Sequence, residues 1–237
     1  MTHFSDPLRT GRAVYAGGAN TGAGPDGTLG APISPMFFFD VLPANTVSVS
    51  LATAQTISGA SWTLAAGSGI TATTIAGSTA YLFDTPRTVL LTGAVSTVTA
   101  GNVTVVGWDL YDGPMTATFS GPSGTGTAAS LKAFRAVFSV TTDSNTTSAV
   151  SIAQGNALGL PYRVDAADYL RMSYSGTVLT ASTGFVAASS TTATAFTGDT
   201  RGTYTPQSAI DGVKRFTALI YLADVNSKTG LYGVDQA

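Results

Sequence analysis

The side chains of this chain that could do acid–base or metal chemistry are almost all aspartates. Its 237 residues include no glutamate and no cysteine, and the only histidine is His3. Two pairs of aspartates, Asp109 with Asp112 and Asp165 with Asp168, are spaced so that two carboxylates could meet in one loop. A Ca²⁺ site, however, needs roughly six or more oxygen ligands in ordered geometry. We therefore expect both pairs to cap turns, and the sequence predicts neither a metal nor any other cofactor.

Catalysis is not expected either, because the groups that usually carry it are scarce. General acids, general bases and nucleophiles draw mainly on His, Glu, Cys and Lys. The aspartic-protease tripeptides Asp-Thr-Gly and Asp-Ser-Gly do not occur in the sequence. Two aspartates could in principle hydrolyse a glycoside, but the sequence selects no pair. We predict a structural or binding protein that is not an enzyme, with an Asp-based hydrolase as a minor alternative. We expect His3 to be a residue of a disordered arm or a contact residue.

The composition indicates strands and turns. Ala, Thr, Gly and Ser make up about half of the chain, and the strong helix formers Lys, Gln and Met are rare. Turn signals such as Asp112-Gly113-Pro114, Ser120-Gly121-Pro122, Ser175-Gly176 and Asp211-Gly212 separate short apolar runs. This pattern predicts an all-β fold, an antiparallel β-sandwich of the jelly-roll-like kind.

The chain divides into two parts at residue 36. Residues 1–35 are rich in Gly and Pro, fit no regular element and are predicted to form an extended N-terminal arm. Residues 36–237 are predicted to form a single β-sandwich domain, because all-β domains of this size are common. The predicted strands after the run beginning at Met36 are Val47–Leu51, Ile70–Ile75, Ala80–Phe83, Arg87–Leu91, Val103–Val106, Met115–Phe119, Leu131–Val140, Val150–Ala153, Tyr169–Tyr174, Thr177–Leu179, Gly184–Ala187, Gly202–Thr205 and Val213–Leu222.

Three consecutive aromatic residues, Phe37, Phe38 and Phe39, begin this domain. Side chains alternate along a strand, so the three rings cannot share one face. Either the strand is buried on both faces, or one side anchors the arm or a neighbouring subunit. The two tryptophans, Trp62 and Trp108, are flanked by Ser, Thr and Asp and allow two further interpretations. Each could be a stacking surface for carbohydrate, or each could fill the core.

Charge is low and evenly balanced. Charged residues are 10% of the chain, the formal net charge is −2, and mean hydropathy is +0.26. Such a surface predicts cover by other subunits, identical or different, and argues against a nucleic-acid partner. The basic pairs Lys132 with Arg135, and Lys214 with Arg215, are expected at sheet edges or rims.

The sequence shows no targeting or membrane-spanning pattern. The first 18 residues lack the apolar stretch of a secretory signal, and no run of about eighteen apolar residues occurs. We expect a chain that is made in a cytoplasm and has no membrane partner. Its Thr-rich, charge-poor composition is more typical of proteins that work outside cells, and assembly into a virus particle reconciles the two.

The second half of the chain resembles virion structural proteins of short-tailed bacteriophages, in particular capsid decoration or cement proteins. The resemblance covers residues 103–237 loosely. It is carried by the segments Gly107–Met115, Gly155–Asp165, Gly198–Pro206, Ser208–Arg215 and Leu231–Ala237. It implies a β-sandwich on the outer face of a capsid that bridges and stabilises major capsid subunits.

This resemblance sets the expected partners and surfaces. It implies the major capsid protein as partner and the capsid surface of the virion as location, and we also expect a homo-oligomer. The predicted interface residues are Arg9, Arg12, Phe37, Phe38, Phe39, Arg201 and Tyr232. Two alternatives stay open: a phage neck, tail or head-fibre component, and a carbohydrate-binding β-sandwich or adhesin.

Overall fold

The computed structural model describes residues 13–14, 36–46, 50–58, 61–75, 77–98, 100–180, 183–189, 193–222 and 227–236. Every strand pairing in these segments is antiparallel. The helical content is one turn of 3-10 helix, Ala167–Tyr169, and one short α-helix, α1, Lys228–Tyr232. The all-β, sandwich-like class predicted from the sequence is confirmed.

The described residues form fifteen strands. In chain order they are β1 Ala13–Val14, β2 Met36–Val41, β3 Ala52–Gln55, β4 Ile70–Ile75, β5 Ser78–Gly93, β6 Asn102–Trp108, β7 Pro114–Ser120, β8 Thr127–Ala129, β9 Phe134–Thr142, β10 Val150–Gly159, β11 Leu170–Tyr174, β12 Thr177–Leu179, β13 Phe185–Val186, β14 Thr203–Tyr204 and β15 Phe216–Tyr221.

Two sheets contain these strands. The smaller sheet has five strands in the order β1-β2-β15-β11-β12. The larger sheet follows the order β13-β14-β10-β5-β9-β6-β7, with β3 added beside β10, and β4 and β8 added beside β5. Strands far apart in sequence are therefore neighbours, as when β2 pairs with β15 along its whole length.

The long strand β5 is the central element of the larger sheet. Its first half pairs with β4 and β9, and its second half pairs with β8 and β10 and, at Arg87, with β9. Pro86, which has no N–H to donate, lies between these two paired halves. The strand can therefore run through a proline, and the two strands predicted on either side of it, Ala80–Phe83 and Arg87–Leu91, are one element.

Buried apolar side chains form two cores. The first core is formed mainly by side chains from strands of the larger sheet and includes Trp62, Phe134 and Ile152. The second core lies against the smaller sheet and includes Leu158 and Phe216. Strand β10 contributes to both, because Ile152 belongs to the first core and Leu158 to the second.

Most of the predicted N-terminal arm is outside the described residues. The sequence indicated no regular element before residue 36, but Ala13–Val14 pair with Phe37 and Met36 at the edge of the smaller sheet. The predicted strand Val47–Leu51 also lies partly outside, and its described residues Ser50 and Leu51 form a bend before β3. The arm and the single domain stay predictions. No helix within the described part of the chain has the length and hydropathy needed to cross a bilayer.

Candidate functional site

The smaller sheet has one face on the second core and one face turned away from it. Phe37 and Phe39 point to the core and are 4% and 3% exposed, whereas Phe38 between them is 38% exposed. The same alternation buries Phe216 on β15 and leaves its neighbour Thr217 half-buried. We call the face turned away from the core the outer face. It carries Phe38, Asp40, Arg171, Ser173, Val178, Thr217, Leu219 and Tyr221.

The centre of the outer face is apolar. Leu219 on β15 lies opposite Phe38 on β2 and opposite Arg171 on β11, so the three side chains form one row across the sheet. The guanidinium of Arg171 donates to the backbone carbonyl of Leu170 at 2.9 Å, which holds its charged end beside the sheet. Phe38 and Arg171 lie on either side of Leu219, and aromatic residues and arginine are both enriched at protein interfaces.

Polar groups border this apolar row. The hydroxyls of Ser173 and Thr217 are hydrogen-bonded at 2.7 Å. Arg215 donates to the carboxylate of Asp40 at 2.7 Å in a solvent-exposed ion pair. These groups satisfy each other within the chain, so a partner could cover the face without leaving them unpaired.

The predicted interface residue Arg201 lies elsewhere, in a buried charged cluster. It is 4% exposed and donates to Asp109 at 3.0 Å. Its guanidinium also lies 5.2 Å from the centre of the Tyr111 ring. Burial lowers the pKa of Arg201, but the carboxylates of Asp199 and Asp109 outweigh burial, so the pKa is raised and the cation is retained. Arg201 holds remote segments of the chain together, and its role at an interface stays a prediction.

Tyr232, the second predicted interface residue near the C-terminus, lies beside the same cluster. Its ring stacks on Tyr162 at 5.6 Å between centroids and meets Tyr111 edge-on at 4.9 Å. Asp109, Tyr111, Arg201 and Tyr232 line one cavity of about 330 Å³. The structure therefore brings Arg201 and Tyr232 together, as parts of one intramolecular contact among α1, the loop after β6 and the segment before β14.

Lys132 is a second buried cation in this region. Its ammonium donates to the backbone carbonyl of Thr116 at 2.8 Å, and its side chain is 0% exposed. Burial lowers the pKa of Lys132 to about 8, and the nearby carboxylate of Asp199 only partly offsets this. Arg135 is also buried and is paired with Asp112. The expectation that Lys132 and Arg135 are rim charges is wrong, because both side chains are buried.

This lysine makes stability depend on pH in the alkaline range. The ordinary pKa of 10.5 applies in the unfolded chain, so between pH 8 and 10.5 the unfolded state holds a proton that the folded state has lost. We expect the free energy of unfolding to rise from pH 8 to 10, by at most about 1.4 kcal/mol per pH unit. Urea unfolding at pH 7, 8, 9 and 10 measures this.

The control for this prediction is Lys132→Met, which should flatten the profile between pH 8 and 10. Burial raises the pKa values of Tyr174 and Tyr204 above the ordinary 10.0, so their effect on stability begins only near pH 10 and acts in the opposite direction. An identical rise in the Lys132→Met protein would assign the effect to another group and contradict the prediction.

The two predicted aspartate pairs do not come together as carboxylate sites. Asp109 pairs with Arg201, and its other oxygen accepts the backbone N–H groups of Tyr111 and Gly113. Asp165 accepts from Arg163 at 2.8 Å. In the described segments of the chain, no group of three or more His or Asp side chains is placed to hold a metal ion.

The structure brings the two tryptophans to one groove of the larger sheet. Trp62 is buried in the first core, and its indole N–H has no acceptor among the described residues. Trp108 is half-buried at the end of β6 and meets Phe138 edge-on, with 5.1 Å between ring centroids. Trp62 therefore fills the core, as one of the two interpretations expected, while Trp108 presents part of its ring to solvent.

Some predicted residues lie outside the described segments, and some residues of the outer face were not predicted from the sequence. His3, Arg9 and Arg12 lie outside the described residues. Leu219 and Arg171 of the outer face carried no signal of their own, although alternation within β15 could have indicated Leu219 as outward-facing. No protein-family model matches this chain, and no curated protein or solved structure is similar enough to count as a match.

Proposed function

We propose that this chain is a structural protein of a bacteriophage particle, which binds the outer side of the capsid and bridges and stabilises major capsid subunits. It works through the surfaces that it covers and needs no reacting group. Its location is the capsid surface of the virion, after assembly in the host cytoplasm. The observation that carries the proposal is the outer face, a sheet surface with the exposed Phe38 and the half-buried Leu219 at its centre.

The chemistry of the outer face supports a protein partner. Phe38 on β2 is an aromatic anchor at 38% exposure, and Val178 on β12, the edge strand of the same sheet, is 80% exposed. Apolar side chains of this size on one continuous sheet surface are typical of interaction sites. The Asp40–Arg215 ion pair at the border adds polar contacts at a rim, where charges contribute to specificity more than to affinity.

The low charge of the chain supports repeated contacts of modest strength. Only 10% of its residues are charged, so much of its exterior lacks the repulsion that keeps free monomers apart. On a shell with many identical positions, a weak contact made by each subunit is strengthened when the subunits also contact one another. The major capsid protein is the proposed partner, and the chain is proposed to form a homo-oligomer, with no nucleic acid and no membrane involved.

Replacing Phe38 with aspartate tests the outer face directly. Phe38→Asp should weaken binding to capsids that lack this protein by about tenfold or more, because a carboxylate at the centre of an interface loses its water without gaining a partner. Co-sedimentation of labelled protein with such capsids measures the affinity. The matched control is Phe196→Asp, because Phe196 is 69% exposed and lies between β13 and β14, away from the outer face.

The outcomes separate the proposal from its alternatives. Retained binding by Phe38→Asp, or equal loss in both variants, would contradict a role for the outer face. Imaging of the saturated particles then locates the protein. Copies arranged with icosahedral symmetry support decoration, whereas copies confined to one vertex would replace it with the neck, tail or head-fibre alternative.

A further inference from the structure

The larger sheet contains an open groove that the proposed capsid role does not use. It has a volume of about 670 Å³ and lies where β4, β5, β6 and β9 meet. Its aromatic wall consists of Tyr81, Trp108 and Phe138, all half-buried. This volume lies in the usual range for small-molecule and oligosaccharide sites.

A β-bulge builds the aromatic wall. Val106 lies opposite Ser139, but the next residue, Gly107, lies opposite Val137, so Phe138 is an extra residue on β9. Bulges turn side chains out of the regular alternation. Here the bulge lets Phe138 meet the ring of Trp108, the residue that follows Gly107.

Gly107 is required for this geometry. A Cβ at residue 107 would collide with the backbone carbonyl of Ala136 and with the ring of Phe134. Only glycine lets β6 approach β9 closely enough at the bulge. The β-bulge on β9 and the glycine on β6 together place the rings of Trp108 and Phe138 at one groove.

The remainder of the lining carries hydroxyl groups and no charge. Ser61, Ser78, Thr79 and Ser139 supply hydroxyls, and neither a carboxylate nor a cation is among the described residues that line the groove. Tyr81 donates its own hydroxyl to the backbone carbonyl of Leu64 at 2.7 Å, so it offers its ring to a ligand and not its O–H. That hydrogen bond also fixes the ring before any ligand arrives.

This combination matches a neutral sugar. The C–H bonds on the flat face of a pyranose carry slight positive charge and pack against the negative face of an aromatic ring. The sugar hydroxyls both donate and accept, as serine and threonine hydroxyls do. Sialylated or sulfated glycans would need cations, which the lining lacks. We propose that this groove binds a neutral glycan, with Trp108 as the stacking surface.

The test uses the intrinsic fluorescence of the protein. The chain has two tryptophans, and both border the groove, so a ligand there should change the emission; the signal that remains in Trp108→Ala reports the contribution of Trp62, which is only 4% exposed. The full-length protein is titrated with neutral hexasaccharides of glucose, mannose, galactose and N-acetylglucosamine, and with sialylated and sulfated oligosaccharides. At least one neutral series should give saturable binding. Calorimetric titration measures the affinity of the variants independently of tryptophan.

Two variants and one control locate the bound sugar. Trp108→Ala should weaken binding by about tenfold or more, the loss of one stacking contact. Ser139→Leu should block the groove without removing a core side chain. Phe196→Ala, an exposed aromatic residue outside the groove, should bind normally. Capsid binding should be unchanged in Trp108→Ala, which separates this site from the outer face.

Four results would overturn the proposal. These are the absence of binding to every neutral oligosaccharide at millimolar concentration, binding of charged glycans alone, undiminished binding by both groove variants, and equal weakening by Phe196→Ala. If Trp108→Ala shifts the thermal unfolding midpoint substantially, Ser139→Leu decides the matter, because its normal binding would place the sugar elsewhere. Binding of the labelled protein to whole bacterial cells, competed by the free hexasaccharide, would identify the ligand as a glycan of the cell surface. Absence of such binding, together with binding of the free hexasaccharide, would identify it as a soluble sugar.

Discussion

Arg201→Met is expected to lower the free energy of unfolding by about 3–5 kcal/mol, because it leaves a buried carboxylate without its cation. The partner, Asp109, has an 8% exposed side chain and accepts from Arg201 at 3.0 Å. Methionine fills similar volume, so the loss arises from charge and hydrogen bonding and only slightly from a cavity. Urea unfolding followed by far-UV circular dichroism at pH 7 measures the change.

A double variant separates the ion pair from the rest of the cluster. Asp109→Asn removes the charge but keeps an oxygen that can accept from the backbone N–H groups of Tyr111 and Gly113. Combining Asp109→Asn with Arg201→Met should cost less than the sum of the two single changes, since no unpaired charge remains. A loss below about 1 kcal/mol for Arg201→Met would contradict the importance of this pair.

Phe39→Ala is expected to destabilise the protein by about 3–5 kcal/mol, whereas Phe38→Ala should cost less than about 1 kcal/mol. The Phe39 ring is buried and meets Phe216 edge-on at 6.2 Å, so its removal opens a cavity in the second core. Phe38 is on the opposite face of the same strand and already contacts solvent. Thermal and urea unfolding of both variants measure the contrast.

This pair of variants is its own control, because the residue type, strand and substitution are the same. Phe38→Ala should nevertheless weaken capsid binding, since it removes the centre of the outer face. Equal destabilisation by both variants would contradict the assignment of the two rings to opposite faces. Loss of stability in Phe38→Ala alone would show that Phe38, and not Phe39, packs in the core.

Much of the fold follows from local patterns in the sequence. The alternation of polar and apolar residues predicts β4 and β12 with the bounds that the structure has, Ile70–Ile75 and Thr177–Leu179. The Phe37–Phe39 run predicts rings on two faces, which is the arrangement found. Short strands such as β3 and β8 were not predicted, because their pairing with β10 and β5 depends on strands distant in the chain.

The charged cluster could not be predicted from local sequence. Arg201 and Asp109 are 92 positions apart, and the turn around Asp109 looks like any Asp-containing turn until the fold brings them together. Lys132 and Arg135 looked like rim charges because long basic side chains are seldom buried. Asp112 lies beside Arg135 and Asp199 lies near Lys132 only in the folded chain, so local sequence could not indicate these partners.

The groove depends on an irregularity that has no local signature. The sequence indicates Trp108, like Trp62, as a candidate carbohydrate contact, because Ser, Thr and Asp flank the two tryptophans. Its partner Phe138 appeared to be one more apolar residue of a strand. Only the pairing of β6 with β9 shows that Phe138 is the extra residue of a bulge.

Strand β10 couples the stability of the two cores. Ile152 and Leu158 belong to the same strand, whose pairing register with β5 shifts between Gln154 and Leu158, so we expect that unfolding of either core disrupts the strand on which the other core packs. A mutation that destabilises the first core, beside the groove, is therefore expected to destabilise the second core beneath the outer face as well. The groove and the outer face would then unfold at the same temperature, although they lie on different sheets.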